Sequence, residues 1–137
     1  MPLISTHELT GSALDWAVAK AEGLLEPQEY FGKMLPPVVI DLEFLVDGPI
    51  VRLNPTPQVY YDPKYSPSTR WDQGGPLIEH HIFILEDTDG GSGDTERWMA
   101  QGGNSVVQYG PTPLVAACRC LVFHKLGTQV DIPQELL

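Results

Sequence analysis

Apolar positions between Leu9 and Glu22 recur with a helical period. Leu9, Ala13, Leu14, Ala17, Val18 and Ala21 fall on one face, which predicts an amphipathic helix over that stretch. Ser5 followed three residues on by Glu8 has the form of a capping box that would start the helix slightly earlier, and Gly23 suits its end. Trp16 lies off the stripe and covers its edge. After Leu24 the pattern breaks, because prolines at 27, 36, 37, 49, 55, 57 and 63 exclude a helix of normal length and fragment any strand. Val38 to Val46 and Ile50 to Leu53 flank the turn residues Asp47-Gly48-Pro49 and predict a hairpin, with Val59-Tyr60-Tyr61 as a third extended piece.

In the second half, Gln73 to His80 reads as a short helix with Pro76 in its first turn. Leu77, Ile78 and His81 lie along it, and Gly74-Gly75 weigh against any start further upstream. The Ile- and Phe-rich stretch His81 to Glu86, the loop Asp89 to Asp94 and the return Thr95 to Gln101 form a second hairpin, with Trp98 on the return strand. Gly102-Gly103-Asn104 is a turn and Ser105 to Tyr109 a further strand. Thr112 is an N-cap with Pro113 at the first helical position. Leu114, Cys118, Leu121, Val122 and Lys125 then keep helical spacing to Gly127, and Val130 to Pro133 leave as an extended tail. These elements predict an α+β fold in one domain over residues 1–137. An antiparallel sheet of about four to five strands would pack with an N-terminal helix, a C-terminal helix and one short helix.

Composition agrees with one globular domain: 137 residues, 42% hydrophobic and 19% charged. The formal charge of −10 disfavours nucleic acid as a ligand. A modest acidic cluster at Glu86, Asp87, Asp89, Asp94 and Glu96 reads either as a solvated face or as a surface for a basic partner. No apolar run approaches the ~20 residues that span a bilayer, and Met1-Pro2-Leu3-Ile4 does not read as a signal peptide, so a cytoplasmic location is expected. Cys118 and Cys120 sit two apart on a helix and point about 200° apart, which suits buried reduced thiols rather than a disulfide.

Candidate chemistry is sparse. His80-His81 with Glu79 and Asp72 raise a metal reading, but adjacent histidines diverge, so no metal site is expected. No catalytic residues are assigned, because no nucleophile stands with a base in a recognisable pattern. The remaining set is Tyr65, Ser66, Ser68, Thr69, Trp71, Thr112 and Arg119, whose hydroxyls, rings and guanidinium suit a small polar ligand. The same residues equally suit helix caps, core-edge packing and an Arg119 ion pair.

Four separated blocks carry a resemblance: Asp15 to Gly23, Tyr65 to Trp71, Gly74 to Glu79, and Gly110 to Arg119. In this order they resemble the NinX-like family of bacteriophage and prophage proteins. Residues 26–60 read as a Pro-rich insert or hairpin longer than in the phage members. The resemblance implies an accessory phage protein of unknown biochemical function in the host cytoplasm, with no established cofactor. Two functions are therefore weighed, and an enzyme ranks behind both. The first is a non-enzymatic protein that binds a host or phage macromolecule. The second is a domain binding a nucleotide or metabolite through the Tyr65–Trp71 turn and Arg119. Exposed strand edges also suit a homodimer.

Overall fold

The computed structural model describes residues 2–30, 32–41, 50–53, 64–88 and 96–137. In chain order its elements are β1 (Leu3–Ser5), α1 (Gly11–Ala21), β2 (Gln28–Tyr30), β3 (Lys33–Leu35), β4 (Val38–Asp41), β5 (Ile50–Leu53), α2 (Trp71–His81), β6 (Ile82–Asp87), β7 (Trp98–Gly102), β8 (Val107–Gly110), α3 (Pro113–Leu126) and β9 (Gln129–Asp131). Three 3-10 turns cover Thr6–Glu8, Gly103–Ser105 and Gln134–Leu136. The fold is α+β, as the sequence pattern predicts. Its strands divide among small antiparallel sheets: β1 with β9, β2 with β3, β4 with β5, and the three-stranded β6-β7-β8.

The helix α3 occupies the middle of the molecule. Val115, Cys118, Leu121 and Val122 join Leu14, Ala17 and Val18 of α1 in one core cluster. Ala116, Ala117 and Cys120 pack with Ala100 of β7 in a second, against Ile82, Leu85 and Trp98. All residues from Leu114 to Val122 are consequently buried. Small residues set the spacing of helix and sheet: a Cβ built on Gly110 would lie 2.6 Å from the backbone nitrogen of Ala116. Each fully buried aliphatic side chain here, such as Leu14 or Leu121, stabilises the fold by roughly 1.5–3 kcal/mol.

Helix α1 differs from its predicted form in two ways. Seven consecutive residues, Ala13 to Ala19, are buried, so the helix is enclosed rather than amphipathic. Trp16 is buried as well, with Lys20 Nζ 5.6 Å from its ring centroid. The capping box does not form. Ser5 is extended and pairs opposite Gln129 in the β1–β9 ladder, so its side chain caps nothing. The extended tail predicted at Val130 to Pro133 thereby gains a partner strand. Gly23 ends α1 as expected: with φ of +75°, its N–H bonds the Lys20 carbonyl at 3.1 Å and the Leu24 N–H bonds that of Ala19 at 2.8 Å.

The hairpin between residues 38 and 53 is present as β4 paired with β5, Val38 opposite Leu53. Its predicted turn at Asp47-Gly48-Pro49, the extended piece Val59-Tyr60-Tyr61 and the loop Asp89 to Asp94 lie outside the described residues. Helix α2 starts at Trp71, upstream of the two glycines that were expected to prevent this. The reason is tertiary. Gly74 lies against the turn before the helix, where a Cβ would come within 2.4 Å of the Pro67 carbonyl oxygen and 2.6 Å of Leu114 Cδ2. Pro76 therefore falls inside the helix, where it has no N–H to offer the Asp72 carbonyl one turn back. The second hairpin holds, with Asp87 opposite Trp98, and β8 completes the sheet with Tyr109 opposite Met99.

Candidate functional site

Residues 65–70 form a tight turn that is held from three sides. The Ser66 carbonyl accepts the N–H groups of Thr69 and Arg70 at 3.1 and 2.9 Å. Gln73, one turn into α2, braces the other end: its Oε1 accepts the Ser66 N–H at 2.5 Å while its Nε2 donates to the Lys64 carbonyl at 3.0 Å. Tyr65 is anchored to β5 by its N–H, which bonds the Val51 carbonyl at 2.9 Å.

The third hold comes from Asp15 of α1, a residue the sequence patterns leave unassigned. Its Oδ1 accepts the Ser68 N–H at 2.9 Å and its Oδ2 accepts the Ser66 hydroxyl at 3.2 Å. The Thr69 hydroxyl lies 2.5 Å from that of Ser66 and extends the chain of hydroxyls to the surface. Asp15 is only 1% exposed. Burial pushes its carboxyl up to about 6, although the Ser68 N–H, the Ser68 and Ser66 hydroxyls and the Lys64 charge pull it back down. The Ser68 hydroxyl is close enough to contribute in this way, yet it makes no hydrogen bond of proper geometry among the described residues. One signal in the sequence marked this site: Asp15 is the sole charge in the otherwise apolar run Ala13 to Ala19.

The seven candidate ligand residues separate into three groups. Ser68, Thr69, Trp71 and Thr112 come together around a cleft of about 280 Å³ where α2 and α3 begin, floored by Pro113, Leu114 and Val115. Tyr65 and Ser66 face inward and are buried; burial, Cys118 and Glu22 push the Tyr65 phenol well above its usual value. Arg119 lies apart from that cleft. It is 3% exposed, and its Nε donates to the Leu9 carbonyl at 2.9 Å while Nη1 reaches the Tyr109 carbonyl at 2.8 Å and both Glu96 oxygens at 3.1 and 3.3 Å. These are bonds that join the start of α1, β8 and the segment before β7. Thr112 also caps α3, accepting the Val115 N–H at 3.1 Å.

A second cleft of about 490 Å³ opens beside β8, lined by His7, Glu96, Val107, Gln108 and Tyr109. His81 pairs with Glu22 at 3.0 Å. Among the described residues no three His, Cys, Asp or Glu side chains converge to hold a metal. Both cysteines are buried free thiols. Burial and the nearby Asp15 drive Cys118 far above the usual thiol range, and burial takes Cys120 to about 11, so neither is a thiolate at neutral pH. No helix among the described residues is long and apolar enough to cross a membrane.

The outward face of the β6-β7-β8 sheet carries exposed apolar side chains. Register places Ile84, Gln101 and Val107 in one row across it and Glu86, Met99 and Tyr109 in the next. Ile84, Val107 and Tyr109 are exposed, and Phe83, at the irregularity between Ile82 and Ile84, is 77% exposed.

A family model described as Bacteriophage P22, NinX, matches residues 5–125. No curated protein matches the chain.

Proposed function

The chain belongs to the bacteriophage NinX family, and on that premise we propose that this phage accessory protein is a non-enzymatic binding protein acting on a host or phage protein in the bacterial cytoplasm. The observation that supports this reading is the exposed apolar surface on the outward face of the β6-β7-β8 sheet. Phe83 and Ile84 of β6 and Val107 and Tyr109 of β8 expose apolar surface on the two outer strands, with Met99 of β7 between them, and aromatic side chains of this kind anchor protein interfaces. Glu86 stands in the same face, and the chain carries a net charge of −10, so the partner surface should be apolar with a basic rim. The protonated, buried thiols and the burial of Arg119 against Leu9, Tyr109 and Glu96 favour binding over chemistry.

Affinity capture from phage-infected host cells tests the reading. The wild type should retain a specific protein, and Phe83→Asp or Tyr109→Asp should release it while leaving the melting temperature within a few degrees. Retention unchanged by both substitutions would reject the face as the binding surface. Recovery of no partner, together with turnover of a metabolite by the purified protein, would reject the function.

A further inference from the structure

We propose that the cleft between the starts of α2 and α3 binds a planar heterocycle bearing carbonyl acceptors, of nucleobase type, stacked on Trp71. Three observations converge there. Trp71 is 57% exposed, whereas Trp16 is buried and Trp98 packs against the second core cluster. An indole standing at the wall of a cleft of about 280 Å³, over a floor of Pro113, Leu114 and Val115, is a ready stacking surface for a flat ring.

The polar groups around it are mainly donors. The Thr112 hydroxyl already accepts from the Val115 N–H, which leaves its own hydrogen free for an acceptor across the cleft. Trp71 and Leu114 are first-turn residues of their helices, so their N–H groups have no intrahelical acceptor. Ser68 also lines the cleft and is 2% exposed, and its hydroxyl, although near the Asp15 carboxylate, completes no hydrogen bond of proper geometry among the described residues. A buried hydroxyl in that state gains from a partner that a ligand can supply. Ring carbonyls match this donor set, and an uncharged ring avoids the repulsion that a phosphate would meet from a chain of net charge −10. The proposal uses none of the sheet residues and stands independently of the protein-binding reading.

Thymidine serves as the probe, with toluene as a flat ring that lacks acceptors. Thymidine should quench tryptophan fluorescence saturably and raise the melting temperature, and toluene should do neither at equal concentration. Calorimetric affinity should fall at least tenfold in Trp71→Leu, and several-fold in Ser68→Ala with no loss of thermal stability. Phe83→Asp should bind thymidine like the wild type. The absence of saturable quenching by thymidine, equal binding of toluene, or wild-type affinity in Trp71→Leu would each overturn the proposal.

Discussion

The carboxylate of Asp15 in α1 accepts the backbone N–H of Ser68 at 2.9 Å, so a buried acid in the first helix fixes the turn that leads into the second. Ser66 adds its hydroxyl to the same carboxylate. Asp15 thereby does for a loop what an N-cap does for a helix, supplying an acceptor to backbone that would otherwise be buried without one.

This arrangement makes stability depend on pH in an unusual direction for an acid. Between about 3.8 and about 6 the folded protein holds a proton on Asp15 that the unfolded chain has released. Raising the pH through that window therefore lowers stability, by about 3 kcal/mol at most from this one group. Asp15→Asn, whose amide oxygen can still accept from Ser68, should flatten that part of the profile. Urea denaturation of both proteins from pH 4 to 7 measures the difference, and parallel curves would show that Asp15 does not titrate in the window.

Two adjacent glycines should respond differently to the same substitution. Gly75→Ala meets no atom beyond its chain neighbours, and its gain in helix propensity is offset by the new Cβ against the Pro76 ring, so stability should change by less than about 1 kcal/mol. Gly74→Ala drives a Cβ into the Pro67 carbonyl and Leu114 and should destabilise by about 1–3 kcal/mol. Chemical denaturation midpoints decide it; a stabilised Gly74→Ala protein would mean that α2 sits farther from the turn than described.

Arg119→Met should destabilise by about 2–4 kcal/mol, since it strands the carbonyls of Leu9 and Tyr109 along with the Glu96 carboxylate. Glu96→Gln should have less than about 1 kcal/mol of effect, because Glu96 is partly exposed and Arg119 keeps its backbone acceptors. Thermal and urea unfolding of the two variants should separate them clearly, and equal losses would place the main role in the ion pair.

Thiol reactivity gives a further check. Cys118 and Cys120 should both resist an aromatic disulfide reagent at pH 8 in the folded protein and react within seconds in denaturant, since each is buried and its pKa is raised. Rapid labelling of Cys118 in the native protein would contradict the packing of α3 against α1.

Local chemistry was legible in the sequence, and long-range chemistry was not. Thr112, Pro113 and Gly127 bound α3 correctly because a cap, a first-turn proline and a glycine at φ of +93° act on their immediate neighbours. Gly74 was misread because its value lies in contact with Pro67, and Ser5 because a strand partner at Gln129 outweighed a local cap. Of the proposed ligand residues, Ser68, Thr69, Trp71 and Thr112 share a cleft, while the hold that Asp15 exerts on Ser66 and Ser68 depends on a turn 51 to 53 positions away. Periodicity reported Asp15 merely as an interruption in a stripe.

The pairing of β1 with β9 sets Leu3 opposite Asp131. On the ribosome that ladder has no second strand until residue 131 has emerged, so residues 3–5 must wait, unpaired, while everything between the two strands is made. The ladder is thus closed like a clasp by the later-made of its two strands, and the enclosed α1 gains its α3 neighbours only shortly before.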